Sequence, residues 1–448
     1  MATTTAAHRL PLETLPQGKG AERRIRWIAY LGCSFSLGVF SAFNNFTLTL
    51  WLAGLTSSYL VLSLLGNSKS FEGAFVSPLA GAWSDRVWTG WLGRRRPFIL
   101  VGGLLSAVLL ACTPAISRWP VPQALEWLPD GAERLAPAVL AIFLFTLTFN
   151  SMDDLHKALL ADVTAPHERS ALSALSVVVD MAGQVGILVL GFAIWKDAVP
   201  DSAFAITGIL VALGVVLTVV GVREPEPDVW ELDRTAEAAV VGAHLSPGEA
   251  LTLYRGAAIF CLVVFAYWSG VNAVMPLVSI YTRDILGASI GEAQLLPSLM
   301  LLTTTILAIP MAYLGNRFGK RRIISLGYAV IACAALAGLV ITTREQGAVV
   351  FLIAGVGNAA SMVLTIPLLA DLVPGHRMGA ATGALAASGS LAAPLASLVA
   401  GSLSDVFGPR AIFGLMAAMV ALALALMPAV RPGGLAYDDG HVAVSTHS

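Results

Sequence analysis

Gly81-Ala82-Trp83-Ser84-Asp85-Arg86, closed by Gly93-Arg94-Arg95-Arg96-Pro97-Phe98, joins two apolar stretches, and a shorter copy, Gly315-Asn316-Arg317-Phe318-Gly319-Lys320-Arg321-Arg322, joins two more in the second half of the chain. In such a hinge the first glycine lets two helices approach closely, and the aspartate caps or pairs across a helix end. The arginines hold the loop in water beside anionic headgroups. A single basic loop of this kind is an ordinary connection between spans; two matched copies imply a duplicated chain. A second pair of motifs agrees: Leu159-Leu160-Ala161-Asp162-Val163 and Leu368-Leu369-Ala370-Asp371-Leu372 each precede a short loop and an arginine, Arg169 or Arg377. Like motifs in like order predict two halves related by an axis along the membrane normal.

Composition sets the surroundings. The 448 residues are 56% hydrophobic and 12% charged, with a mean hydropathy of +0.77, too apolar for a soluble chain and too long for one buried core. The chain is therefore expected to lie mostly in the lipid bilayer. A net charge of -1 leaves no basic domain to neutralise phosphates, which argues against a nucleic-acid partner. Cys33, Cys112, Cys261 and Cys333 fall inside apolar stretches at no metal-ligand spacing and read as small packing residues. No phosphate-cradling Gly-rich loop, His-Glu-x-x-His array or nucleophile with a base is found, so neither an enzyme nor a cofactor is expected.

A spanning helix needs roughly 20 mainly apolar residues. Twelve stretches meet that need, at about 26–50, 58–83, 97–117, 136–161, 170–195, 203–222, 256–281, 293–315, 323–343, 348–371, 378–402 and 410–430. The expected fold is an all-α membrane protein of twelve transmembrane helices in two six-helix halves. Its parts are a polar tail over 1–24, a first half over 25–222, a linker over 223–255, a second half over 256–430 and a polar tail over 431–448. The linker contains Glu224-Pro225-Glu226-Pro227 and Ser246-Pro247, and the first tail has no apolar core of a cleavable signal. With both termini inside, about nineteen of the 27 Lys and Arg fall on the cytoplasmic side, a strong positive-inside bias.

Two six-span halves with a Gly-x-x-x-Asp-Arg hinge running into Gly-Arg-Arg-Arg resemble the major facilitator superfamily over the whole apolar region. A finer resemblance, to the sucrose-type branch of the glycoside-pentoside-hexuronide:cation symporters, rests on three stretches. These are Ser84-Asp85-Arg86 with Gly93-Arg94-Arg95-Arg96-Pro97-Phe98-Ile99, Asn150 ahead of Lys157-Ala158-Leu159-Leu160-Ala161-Asp162, and Arg223-Glu224. The resemblance implies proton-coupled uptake of a disaccharide or related glycoside across the plasma membrane, or the inner membrane of a bacterium, with coupling centred in the first half. The chain departs from the pattern in two places: Lys157 stands where it has arginine, and Asp153-Asp154 where it has uncharged residues.

Ionisable groups inside spans cost several kcal/mol unless paired or hydrated, which makes each a functional candidate. They gather in the first half: Lys69 and Glu72 in the second span, Asp153, Asp154, His156 and Lys157 in the fourth, Asp180 in the fifth. At about 1.5 Å per residue, the candidate coupling groups Lys69, Glu72, Asp153, Asp154 and Asp180 all come near the bilayer midplane. Lys69 and Glu72 share a helix face and are placed to pair, and Asp180 is placed either to carry a proton or to pair with Lys157 or Lys69. Asp153 and Asp154 point about 100° apart, so one of them is expected to face a cavity. His156 reads as packed or hydrogen-bonded. The hinge and helix-end groups Asp85, Arg86, Arg94, Asp162, Arg169, Arg317, Asp371 and Arg377 are expected to act as gate or fold contacts.

A sugar needs amides and hydroxyls beside aromatic faces. Asn44, Asn45, Asn150, Tyr267, Trp268, Asn272 and Asn358 form the candidate binding set, and the eighth span adds Thr303-Thr304-Thr305. Each of them singly is as well suited to gluing helices together. Trp195 and Tyr281, near span ends, read as interfacial anchors. Two alternatives stand beside uptake: a proton-coupled exporter of drugs or metabolites, for which a cavity of Phe, Met and Leu would speak, and a non-transporting assembly factor that keeps the fold. The expected partners are a small-molecule substrate, a coupling cation and the lipid bilayer.

Overall fold

In hydrocarbon a backbone N–H or C=O finds no water, so long apolar runs satisfy themselves as helices. A computed structural model describes residues 20–70, 83–84, 87–119, 132–164, 166–195, 197–224, 255–373 and 378–431. Among them no strand forms. The helices are α1 (Gly20–Ala42), α2 (Leu48–Leu52), α3 (Tyr59–Gly66), α4 (Arg96–Ile116), α5 (Ala132–Val163), α6 (Pro166–Ile194) and α7 (Asp201–Gly221) in the first half. The second half holds α8 (Arg255–Val274), α9 (Val278–Asp284), α10 (Ile290–Phe318), α11 (Lys320–Gly338), α12 (Arg344–Ala370), α13 (Met378–Phe407) and α14 (Ala411–Leu426). Eleven helices among the described residues are long and apolar enough to cross a membrane. The remaining expected span, 58–83, opens with α3 and then runs onto residues 71–82, outside the described part.

Each half is a bundle. In the first, α1 packs on α6 and α7, and α4 packs on α5 and α7; in the second, α8 packs on α13 and α14, α10 on α12, and α11 on α12 and α14. The halves meet along α6 with α10 and along α3 with α13. Small residues set these distances. A Cβ on Gly38 of α1 would lie 1.9 Å from the Asp180 carbonyl oxygen of α6, and one on Gly183 would lie 2.3 Å from the Phe35 carbonyl oxygen. The two helices therefore cross backbone against backbone, which brings Asp180 beside α1.

Both hinges turn on a glycine with positive φ, Gly93 at 73° and Gly319 at 95°, immediately before the basic residues that open α4 and α11. A side chain is strained at such angles, which explains the glycine in both copies. In the first copy Arg94 reaches the Asp162 carboxylate at 2.8 Å and Arg95 holds its other oxygen. Glu224, just past α7, accepts the backbone N–H groups of Arg94 at 2.9 Å, Arg95 at 3.1 Å and Arg96 at 2.9 Å, so one carboxylate caps the α4 N-terminus. In the second copy the cation is Lys320, 2.7 Å from both oxygens of Asp371. Arg317, expected as a gate or fold contact of this hinge, is exposed and lies over the Phe318 ring at 5.3 Å. It precedes the glycine that redirects the chain, whereas Lys320 follows it. Arg169 sits near the start of α6. Asp85, Arg86 and Arg377 lie outside the described residues.

The Lys320–Asp371 pair is 23% and 50% exposed, so water competes for both ions. Asp371→Asn is expected to cost no more than about 1 kcal/mol, leaving the midpoint of thermal unfolding within about 2 °C of the parent protein.

Two expectations fail at the opposite face, where the short connections lie. Trp195 and Tyr281 are not interfacial anchors: they are 1% and 0% exposed. Tyr281 Oη donates to the Gly338 carbonyl at 2.6 Å and its ring meets Phe413 edge-on. Both residues sit at span ends, but those ends point inward at neighbouring helices.

Candidate functional site

Three helical stripes converge on one cavity of about 210 Å³ in the first half. On α1 the stripe is Tyr30, Ser34, Leu37 and Ser41; on α5 it is Asp153, His156 and Lys157; on α6 it is Ser176, Val177 and Asp180. Spacings of three, four and seven residues place each set on one face of its helix. Lys69, just past α3, completes the wall.

The cavity is organised around Asp153. Its carboxylate lies 3.3 Å from Lys69 Nζ and 2.9 Å from Lys157 Nζ, one turn along α5. The Asp153 side chain is 8% exposed and that of Lys157 is 65% exposed, so the inner carboxylate communicates with the outside through the outer ammonium. Lys69 Nζ also donates to Ser41 Oγ at 3.1 Å and stands 4.7 Å from the centre of the Phe149 ring, which stacks on Phe40. Asp180 accepts from Gln184 Nε2 at 2.9 Å and contributes a second carboxylate to the wall. His156 stacks on Tyr30 with centroids 4.1 Å apart, and its Nε2 lies 3.0 Å from Ser34 Oγ. The Tyr30 hydroxyl donates to the His156 carbonyl at 3.2 Å, locking α1 to α5.

Lys69, Lys157, Asp153 and Asp180 balance as two cations and two anions around one cavity, with Asp153 buried and Lys157 at its exposed end. Protonating either carboxylate breaks that balance and frees an ammonium and a carboxyl for a ligand. Asp154 falls outside the lining, on another face of α5 from Asp153. The sequence leaves open which of the two faces a cavity; tertiary packing selects Asp153. Glu72, the sequence partner for Lys69, lies outside the described residues, and among those described the Lys69 ammonium pairs with Asp153. Among the described residues no cluster of His, Cys, Asp and Glu could hold a metal ion.

Most of the amides expected to bind sugar are engaged in holding irregular helices. Where α1 meets α2 the chain makes a π-helical turn, Phe43–Thr47, and α3 stops at Gly66. Asn44 Nδ2 donates to the Gly66 carbonyl at 3.0 Å, and Asn150 Nδ2 to the Lys69 carbonyl at 2.7 Å. Asn272 Nδ2 folds back on the Trp268 carbonyl at 2.9 Å. In the second half the Tyr267 hydroxyl donates to Asn358 Oδ1, and Asn358 Nδ2 to Thr304 Oγ1 at 2.9 Å. A buried amide takes the nearest unpaired acceptor, and a broken helix supplies one. Asn45 and Trp268 are half-buried, and the Trp268 indole packs near Gly389. None of the expected amides lines the cavity. The lining residues Tyr30, Ser34, Ser41 and Ser176 were missed by the sequence reading, although the four-residue spacing of Tyr30 and Ser34 on a polar stripe of α1 was a visible signal.

The sequence pattern that describes the Major Facilitator Superfamily matches residues 27–277 and 259–438. A sucrose transport protein of Arabidopsis thaliana is 31% identical over 145 residues, 31% of this chain and 21% of that protein's length. Among solved structures, a D-xylose-proton symporter superposes with a TM-score of 0.67 at 18% identity, covering 92% of this chain and 97% of its own. A nucleoside transporter superposes with a TM-score of 0.67 at 12% identity, covering 91% and 99%. The xylose transporter of E. coli in an inward-open conformation gives 0.64 at 16%, covering 94% and 97%. At these identities the likeness is one of fold.

Proposed function

The chain belongs to the Major Facilitator Superfamily and is a multi-pass membrane transporter, not an enzyme; from that premise we propose that it carries a sugar or related glycoside together with a proton. The single observation behind this reading is Asp153, a buried carboxylate held between two ammonium groups on the wall of a polar cavity. When the carboxylate takes a proton, Lys69 and Lys157 lose their shared counter-charge. Ligand hydroxyls then find one acid and two cations to hydrogen-bond. Losing the proton restores the ion pairs and expels the ligand. Coupling in this sense is reciprocal, each ligand raising the affinity for the other.

Residues 25–222 and 256–430 act as the two rocking halves, joined by 223–255. The basic hinge face is cytoplasmic, as are both tails, by the distribution of Lys and Arg across the connections. In this placement the cavity, through Lys157, serves the cytoplasmic side. Hydroxyls and charges along its wall, with Leu37 and Val177 as its aliphatic members, favour a hydrophilic solute over an exported amphiphile. The names of similar proteins, a sucrose transport protein and a D-xylose-proton symporter, support the same class.

The purified protein in liposomes, with a pH dye inside, tests this directly. Adding sucrose, maltose, other glucosides or nucleosides outside is expected to acidify the lumen for a sugar. Acidification by a nucleoside alone would replace the substrate class, and solute entry without acidification would remove the proton.

A further inference from the structure

Proline has no N–H, so Pro276 leaves the carbonyl four residues earlier, that of Asn272, without its helical donor. Helix α8 accordingly ends at Val274, and α9 starts at Val278. The missing donor comes from the other half of the molecule. Asn67 Nδ2, just past the end of α3, lies 3.3 Å from the Asn272 carbonyl oxygen and 2.7 Å from Ser397 Oγ on α13. An amide nitrogen carries two hydrogens, one for each acceptor. Asn67 is 6% and Ser397 0% exposed, so water has little access to either bond.

The same seam is closed along its length. A Cβ on Gly66 would lie 2.9 Å from Pro276 Cβ, and one on Gly401 of α13 would lie 2.5 Å from Leu60 Cα of α3. At the far end, the Asp405 carboxylate accepts the backbone N–H groups of Tyr59 at 2.6 Å and Leu60 at 3.2 Å, and the Ser58 hydroxyl at 3.1 Å. The α3 N-terminus, where Ser58 Oγ also accepts the Val61 N–H at 3.4 Å, is thus capped in part from the opposite half. Its counterpart α10 caps itself, through Ser289 and Glu292. On the other seam Thr47 Oγ1 donates to Gln294 Oε1 at 2.8 Å.

We propose that Asn67 is the latch that holds the two halves together on the face opposite the hinges, by standing in for the backbone donor that Pro276 removes. Parting the halves there strips the Asn272 carbonyl of its partner in a site that no helix can repair. The latch therefore biases the molecule toward the state open on the hinge side. This rests on the fold alone and holds whatever solute is carried.

Spin labels placed as non-canonical residues at Trp119 and Thr342, exposed positions of the two halves on the latch face, report their separation by pulsed dipolar spectroscopy. Asn67→Ala is expected to raise the long-distance population about tenfold, and Ser397→Ala to raise it less, since the Asn272 bond survives. Pro276→Ala returns a donor to the Asn272 carbonyl; in that background Asn67→Ala should do no more than Ser397→Ala does alone. If Asn67→Ala yields no folded protein, Ser397→Ala carries the test. Distance distributions unchanged from the parent protein in the folded Asn67→Ala variant, or in Ser397→Ala where it alone folds, overturn the latch. An equal effect of Asn67→Ala with and without Pro276→Ala overturns the role given to the proline.

Discussion

Asp153→Asn is expected to abolish accumulation of solute driven by a pH gradient, by at least about tenfold, while exchange of labelled for unlabelled solute at equal pH persists at a reduced rate. The amide has the size of the carboxylate and keeps one acceptor, so a ligand still finds a polar group at the end of the cavity. It cannot take up a proton on one side and give it up on the other. The energetics point the same way. Lys69 and Lys157 both approach this one side chain, at 3.3 and 2.9 Å, and the amide leaves two ammonium groups facing each other with Asp180 as the nearest remaining counter-charge in the lining. Asp153 is buried but Lys69 and Lys157 are 25% and 65% exposed, so water offsets part of the loss and the cost stays below the roughly 3–5 kcal/mol of a fully buried pair; the variant is first shown to be monodisperse. Asp154→Asn, one residue along and outside the cavity, should leave accumulation within about twofold of the parent protein. Normal accumulation by Asp153→Asn would remove Asp153 from the coupling step; loss in both variants alike would point to a disturbance of α5 as a whole.

The second large effect is on folding. Glu224→Ala is expected to lower stability by about 3–5 kcal/mol, read as a fall in the midpoint of thermal unfolding and in the yield of monodisperse protein. Three backbone N–H groups at the start of α4 end on this one carboxylate, whose side chain is 1% exposed, and the Arg96 guanidinium stands 3.7 Å away. Alanine leaves all four donors without that acceptor in a place water does not reach. Arg96 keeps the carbonyls of Val219 and Val222, so it remains partly satisfied and the backbone carries most of the loss. Glu224→Gln retains one oxygen and should fall between the two. A parent-like midpoint for Glu224→Ala would mean that the hinge is held by Asp162 and its arginines alone. The contrast with Asp371→Asn is one of solvent: the same kind of ion pair is worth little where half of it is wet.

The repeat was legible because it is written in residue types with few substitutes. Gly93 and Gly319 each occupy a positive φ, and Asp162 and Asp371 each end a helix against a hinge cation. The cation at the second copy was not legible: Lys320, absent from the expected gate residues, serves Asp371, because the turn at Gly319 decides which basic residue points back. The candidate site was legible in part. A charge inside an apolar run announces itself, and Lys69, Asp153 and Asp180 do meet in one cavity. Uncharged polar residues give no such signal, since an amide that binds ligand and one that mends a helix read alike. Asn44 and Asn150 both donate to carbonyls at the interruption after α3, Gly66 and Lys69.

Composition and periodicity by themselves determined that this chain lies in a membrane, that it is built twice, and that its ionisable groups are concentrated in one half. Those are properties of how many apolar residues occur and how they are spaced, and they survive any arrangement of the helices. Which carboxylate of an adjacent pair faces the cavity, and which carbonyl an asparagine reaches, was decided only in the tertiary structure. The deciding terms are the close crossing of α1 and α6 at Gly38 and Gly183, the interruption of α8 before Pro276 and the end of α3 at Gly66. Each puts an unpaired group opposite a side chain far away in sequence. In a medium without water the nearest such partner wins.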